Sequence, residues 1–364
     1  MQVNKKNYQS IWIDDLKKVK IIDQTLLPFE FKIITLESLE MVAEAISSMR
    51  VRGAPLIGVT AAFGIYLSIK NSNKEEDIIK ARDSLISTRP TAINLKWAVD
   101  EITEEIIKTK KELRESKALL LAKKMHLDDQ MINESIGDVG AKIIESIYKE
   151  KNKVINILTH CNAGWLATVD WGTATAPIYK ARNMGIPIHV WVDETRPRNQ
   201  GSFLTSWELN NENIENTIVV DNAGGHLMQN GQIDLVITGS DRTTYTGDVC
   251  NKIGTYLKAL SAHDNRIPFY VALPSSTIDW NISDGNMIKI EERDVNEVHY
   301  IRGIDDKKNL RDIRVTPNES KASNYAFDVT PSKYITGLIT EFGLLRSNES
   351  DILAIKEKKY EKLI

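Results

Sequence analysis

Only two cysteines, Cys161 and Cys250, occur among 364 residues, and no CxxC pair is present. A chain this long does not need disulfide staples to hold a core, so both are expected as free thiols in a reducing compartment. The six histidines are scattered, which leaves no ligand set for a structural zinc, and no metal is expected. An excess of one charge is also missing. The 47 Lys and Arg oppose 50 Asp and Glu for a net charge of −3, which speaks against a main task of gripping nucleic acid or an anionic membrane surface. No uninterrupted apolar stretch approaches the roughly 20 residues that span a bilayer. Residues 1–8 (MQVNKKNY) carry no apolar signal core, so a cytoplasmic location is expected. No GxGxxG opens a helix after the first strand of the second half, and GxxxxGK[ST] occurs nowhere. Neither a nicotinamide nor a nucleoside triphosphate is indicated, and no cofactor is expected.

What is present is the composition of a globular protein, 42% hydrophobic and 27% charged, at a length that suggests two domains. Short extended runs at 11–13, 19–22 and 29–34 predict a small antiparallel sheet. From Leu36 the period becomes helical, with segments at 36–46, 54–69, 77–86, 95–108, 113–125 and 131–146. Residues 1–130 are read as an N-terminal α+β domain. Residues 131–364 are read as a Rossmann-like α/β domain with a doubly wound parallel sheet, because β-branched runs at 154–159, 188–192, 218–221, 235–238 and 269–273 alternate with room for helices.

Ligands of such sheets sit at the carboxyl ends of the strands, and unusual residues fall there. His160-Cys161-Asn162 follow the first strand, Asp193-Glu194-Thr195-Arg196 the second, Asp221-Asn222 the third, Gly239-Ser240-Asp241-Arg242 the fourth and Pro274-Ser275-Ser276 the fifth. The five ends are expected to converge on one cleft. In VRGAPLIG, Arg52, Gly53 and Ala54 precede a helix with Pro55 in its first turn, which makes an anion site. Arg89, ahead of Pro90 in RPTAINL, repeats the arrangement, and two such starts point to a phosphate.

Cys161 stands where a reactive thiol would be placed, with a helix start just beyond it expected to favour thiolate. Cys250 is read as structural. Asp241 closes the run VITGSD, and a carboxyl enclosed there would have its pKa raised enough to donate a proton near neutrality. Asn251-Lys252 supply an amide and a cation, and Gln200 an amide for sugar hydroxyls.

RGAPLIG, RPTAINL, THCNAG, DETRPRNQG, DNAGGHLM, GSDR, GDVCNKIGTY and FYVALPSSTID, in that order, resemble the methylthioribose-1-phosphate isomerases, relatives of the regulatory subunits of a eukaryotic translation-initiation exchange factor. The resemblance implies conversion of 5-methylthioribose 1-phosphate to its ketose in methionine salvage. It implies Cys161 and Asp241 as the catalytic pair, and Arg52, Gly53, Ala54, Arg89, Gln200, Asn251 and Lys252 as substrate-binding residues. It also implies a homodimer paired through the second domain, and no metal or cofactor.

The substrate's phosphate blocks the anomeric oxygen, so ring opening needs an acid, assigned to Asp241. Cys161 is assigned to the C2-to-C1 hydrogen transfer, either as a base or as a neutral stabiliser of a hydride shift. Asp170-Trp171-Gly172 stand where the family more usually has Gly-Tyr-Gly, which keeps 5-deoxyribose 1-phosphate and ribose 1,5-bisphosphate open as substrates. A non-catalytic phosphosugar- or nucleotide-sensing subunit is the other alternative. Trp165, Trp171 and Trp207 are expected to suit an uncharged 5-substituent.

Overall fold

The computed structural model describes residues 1–361. Among the described residues the second half forms a seven-stranded sheet in the spatial order Gly343–Leu345, Gly337–Thr340, Phe269–Ala272, Leu235–Thr238, Ile155–Thr159, Ile188–Asp193, Glu215–Val219. All neighbours pair parallel except the Gly343–Leu345 edge. The chain therefore winds outward in one direction from Ile155–Thr159 and then returns to build the other side from Leu235–Thr238. The reversal lies between these two strands, which pair through Ile157 with Leu235 and Leu158 with Val236. A crevice opens at such a reversal, outside the carboxyl ends. Both strands read as apolar runs because helices cover both faces, and Leu235, Val236 and Ile237 are fully buried.

Two strands start away from their expected places. The third parallel strand is Glu215–Val219 rather than 218–221, because at the sheet edge its polar residues Glu215 to Thr217 pair with Ile188–Asp193 as well as its apolar ones. In the N-terminal sheet, Ile11–Ile13 and Val19–Ile22 are joined by Ile33–Leu36 rather than 29–34. Residues 29 and 30 turn back instead, donating their amides to the Leu26 carbonyl at 3.0 and 2.9 Å.

Helix Ala54–Asn71 is apolar all round because Leu39–Ser47, Glu75–Thr88, Ile93–Ile107 and the next helix surround it. Phe63, Ile65 and Tyr66 are wholly buried in the resulting core. That next helix, Arg114–Lys151, runs 38 residues without a break, so the two expected helices at 113–125 and 131–146 are one. No Gly or Pro lies between them to stop it.

The expected domain division at 130/131 thus falls inside a helix, and what changes along it is the packing. Ala118, Ala122 and Met125 join the helical core, whereas Ile136, Ala141 and Ile144 join the core of the parallel sheet. Gly140 permits the second contact, since a Cβ there would meet Pro177 Cγ at 2.3 Å. A separate four-stranded sheet, ordered Ile278–Asp279, Arg242–Thr244, Val249–Lys252, Phe327–Thr330, carries Arg242 and Lys252.

Candidate active site

Cys161 lies two residues past strand Ile155–Thr159 in the left-handed region, φ +68°, a conformation that side-chain-bearing residues adopt only when the surroundings enforce it. Its amide donates to Thr195 Oγ1 at 2.8 Å and its carbonyl accepts from Thr205 Oγ1 at 2.7 Å. Its Sγ faces Gln200 Oε1 at 3.4 Å. Thr195 is itself left-handed at φ +65°. The amides of Thr195 and Arg196 donate to the Asp221 carboxylate at 2.7 and 2.8 Å. Three strand ends are thereby tied together around the thiol.

The thiol is not prepared as a thiolate. Burial pushes its pKa up, against the pull of Arg52 and Lys252. The helix start expected to lower it is absent: the chain makes a 3-10 turn at Trp165–Ala167, and the next α-helix begins at Ala176.

Asp241 follows the strand on the other side of the reversal, its amide donating to the Cys250 carbonyl at 3.0 Å. It is half-buried, with its side chain in the wall of a pocket. Burial raises its pKa, while Arg52, Arg89 and Lys252 pull the other way.

Cys161 and Asp241 share that pocket with Arg52, Gly53, Ala54, Arg89, Gln200 and Lys252. Arg52 Nη2 donates to the Asn162 carbonyl at 2.6 Å, and Nη1 to Asn162 Oδ1, so its partner is a neutral amide. Lys252, 5% exposed, has no carboxylate partner among the described residues, and burial lowers its pKa. Gly53 starts helix Ala54–Asn71 at φ +94°, and a Cβ there would sit 2.5 Å from the Ala167 carbonyl oxygen. Arg89, by contrast, already holds Glu291 Oε2 at 3.3 Å.

Several expected residues lie elsewhere. Asn251 is not in the wall. Adjacent residues of a strand face opposite sides, so Cys250 and Lys252 line the pocket while Asn251 Nδ2 donates to Thr255 Oγ1 at 3.0 Å. The fifth strand end faces the helical domain instead, with Ser276 Oγ accepting from Asn94 at 3.0 Å. None of the three tryptophans lines the pocket or the larger cavity beside it. Trp165 is fully buried, Trp207 packs between it and Phe31 at 6.1 and 6.0 Å, and Trp171 lies under Lys180 Nζ at 4.5 Å.

The structure also groups His160, Asp193 and Asp221, with ligand atoms within 4.8 Å of one another, as the expected convergence of the first three strand ends implies. Lys258 already supplies the positive charge there, with Nζ 3.2 Å from Asp193 Oδ2 and donating to the Asp221 carbonyl.

Glu208 was not anticipated. It is 0% exposed and accepts from Asn162 Nδ2 at 2.9 Å, the amides of Trp165 and Leu166 at 3.1 and 2.9 Å, and the Tyr179 hydroxyl at 3.0 Å. Because Asn162 Nδ2 points to Glu208, its Oδ1 must point to Arg52. Burial raises the Glu208 carboxyl to about 7. Gly164 makes room for it, since a Cβ there would lie 1.7 Å from Glu208 Oε2. Arg198 and Arg293, also in the pocket wall, are further residues the sequence reading did not single out.

Residues 50–347 match the initiation factor 2 subunit family. The chain belongs to that family. It is 54% identical over 353 residues to a methylthioribose-1-phosphate isomerase of Escherichia coli, covering 96% of this chain and 95% of the relative. A protein of the same name from Paramagnetospirillum magneticum is 54% identical over 350 residues, covering 96% and 97%. Among solved structures, 5-methylthioribose 1-phosphate isomerase from Pyrococcus horikoshii OT3 superposes with a TM-score of 0.82 at 36% identity, covering 97% of this chain and 96% of that one. Translation initiation factor eIF-2B subunit delta from A. fulgidus gives 0.79 at 37% identity, covering 96% and 100%. Within the family the chain belongs with the methylthioribose-1-phosphate isomerases.

Proposed function

We propose that the protein isomerises 5-methylthioribose 1-phosphate to 5-methylthioribulose 1-phosphate, a step of methionine salvage, with Asp241 as general acid and Cys161 at the C2-to-C1 hydrogen transfer. The observation that carries this reading is the sharing of one pocket by a carboxyl whose pKa is raised by burial, a buried thiol, and two cations, Arg52 and Lys252, that make no ion pair among the described residues. Arg52, Lys252 and the amides of helix Ala54–Asn71 suit the phosphate.

Asp241 gives its proton to the ring oxygen as the bond from that oxygen to C1 breaks. The electron-poor C1 then receives hydrogen from C2. The protonated thiol supports transfer with the electron pair, a hydride shift, over abstraction by thiolate. The C2 hydroxyl loses its proton to the Asp241 carboxylate, which restores the acid and leaves a ketone at C2. A homodimer paired through the parallel-sheet domain accompanies this reading.

The test is a kinetic comparison of the methylthio sugar with 5-deoxyribose 1-phosphate and ribose 1,5-bisphosphate, with ketose formation followed by NMR. Turnover fastest on the methylthio sugar is expected. A higher kcat/KM for either rival would reassign the substrate, and binding without turnover of all three would favour a phosphosugar sensor.

A further inference from the structure

The reaction pocket encloses about 70 Å3, the share of liquid volume taken by roughly two waters. That is too little for a whole substituted pentose phosphate, whose remainder has to extend beyond it. With the phosphate held by Arg52, Lys252 and the helix end at Gly53, the C5 end of the sugar is directed past Met49, Gln200 and Arg198, which line both this pocket and a second cavity of about 610 Å3. The second cavity falls in the size range that encloses drug-sized ligands, about 300–1,000 Å3, far more than a methylthio group fills.

The chemistry of its wall is as informative as its size. Leu27, Met49, Phe203 and Leu204 give it an apolar side, and the Phe203 ring is held edge-on by Phe29 at a centroid distance of 5.5 Å. Apart from Arg52, its arginines are already engaged by carboxylates. Arg198 and Arg293 share Glu297 Oε1 at 2.9 and 2.8 Å, and Arg302 pairs with Asp312 at 2.8 Å. A second phosphate would find no free cation there beyond Arg52, whereas a neutral apolar tail would leave water for a preformed surface.

Resting on the isomerase reading above, we infer that the enzyme acts on a wider class of 5-thioethers of ribose 1-phosphate, with neutral apolar tails up to the size of butyl or phenyl, seated against Leu27, Met49, Phe203 and Leu204. No bond of the tail is made or broken, so the balance of protons and hydrogen is that of the methylthio sugar.

The experiment compares 5-S-methyl, 5-S-butyl and 5-S-phenyl 5-thioribose 1-phosphates on the wild type and on Ser47→Trp. Ser47 is an exposed residue at the end of helix Leu39–Ser47 that lines the larger cavity, so an indole there fills space without disturbing a core. For the wild type, kcat/KM for butyl and phenyl within tenfold of methyl is expected. In Ser47→Trp the two large substrates should lose at least tenfold more than the methyl one. Turnover of the methyl sugar with butyl and phenyl more than tenfold slower would overturn the wider class and leave the isomerase reading standing. Equal losses for all three in Ser47→Trp would overturn the seat. No turnover of any of the three would overturn the isomerase reading itself.

Discussion

Replacing Glu208 by Gln probes the site from behind. The carboxyl is fully buried, and its pKa rises from 4.5 to about 7 because burial outweighs the four donors it accepts from. A carboxyl raised on folding contributes stability that is complete below its unfolded value and is lost as pH climbs through its folded value. The change corresponds to roughly 3 kcal/mol at about 1.4 kcal/mol per pH unit.

Measured by denaturant unfolding at a series of pH values, the wild type should lose about that much relative to Glu208→Gln between pH 4.5 and just above 7. Asp129, raised to about 7 by its own burial, titrates in both proteins and drops out of the difference. The variant also leaves Asn162 free to turn its amide, so Arg52 loses its oriented acceptor and KM for the phosphosugar should rise more than kcat falls. A difference curve that is flat across this window, or that slopes the other way, would refute the reasoning.

Three further outcomes are expected. Arg52→Ala and Lys252→Ala should each weaken inorganic phosphate binding in calorimetry by about 1.5–3 kcal/mol, the range for charge-assisted hydrogen bonds; unchanged affinity in both would remove the phosphate from this end of the pocket. Gly53→Ala forces a side chain into a φ of +94° against the Ala167 backbone, so a loss of about 1–3 kcal/mol is expected in unfolding experiments, and wild-type stability would show that the turn relaxes at no cost. Cys161→Ser should turn over slowly while still binding phosphate, because a polar, less polarisable hydroxyl replaces the neutral thiol beside the migrating hydrogen; wild-type turnover would take the hydrogen transfer away from Cys161.

The parallel sheet was legible because its central strands are buried on both faces, which leaves β-branched runs such as LVIT at Leu235–Thr238. Its edge was legible only in part, since Glu215–Val219 is largely exposed and opens with polar residues ahead of the run read at 218–221. Cys161 and Asp241 could be found as polar residues just past apolar strands. That they flank one crevice depends on the order in which strands pair, which no local pattern carries. Asn251 stands apart from Lys252 because a motif names neighbours together while a strand turns them to opposite faces. The tryptophans misled for a related reason: Trp207 meets Phe31, 176 positions earlier by their numbering, a contact that composition around a motif does not record. Glu208 left only a faint trace, one acid set between Trp207 and Leu209 in a short helix.

The measurement that bears most directly on the chemistry is turnover of Asp241→Asn on 5-methylthioribose 1-phosphate, alongside substrate affinity. The amide keeps the shape of the carboxyl and cannot give up its proton, so kcat should fall by about 100-fold or more while affinity stays within a few-fold. Near-wild-type turnover in this variant would contradict the assignment of Asp241 as the acid that opens the ring.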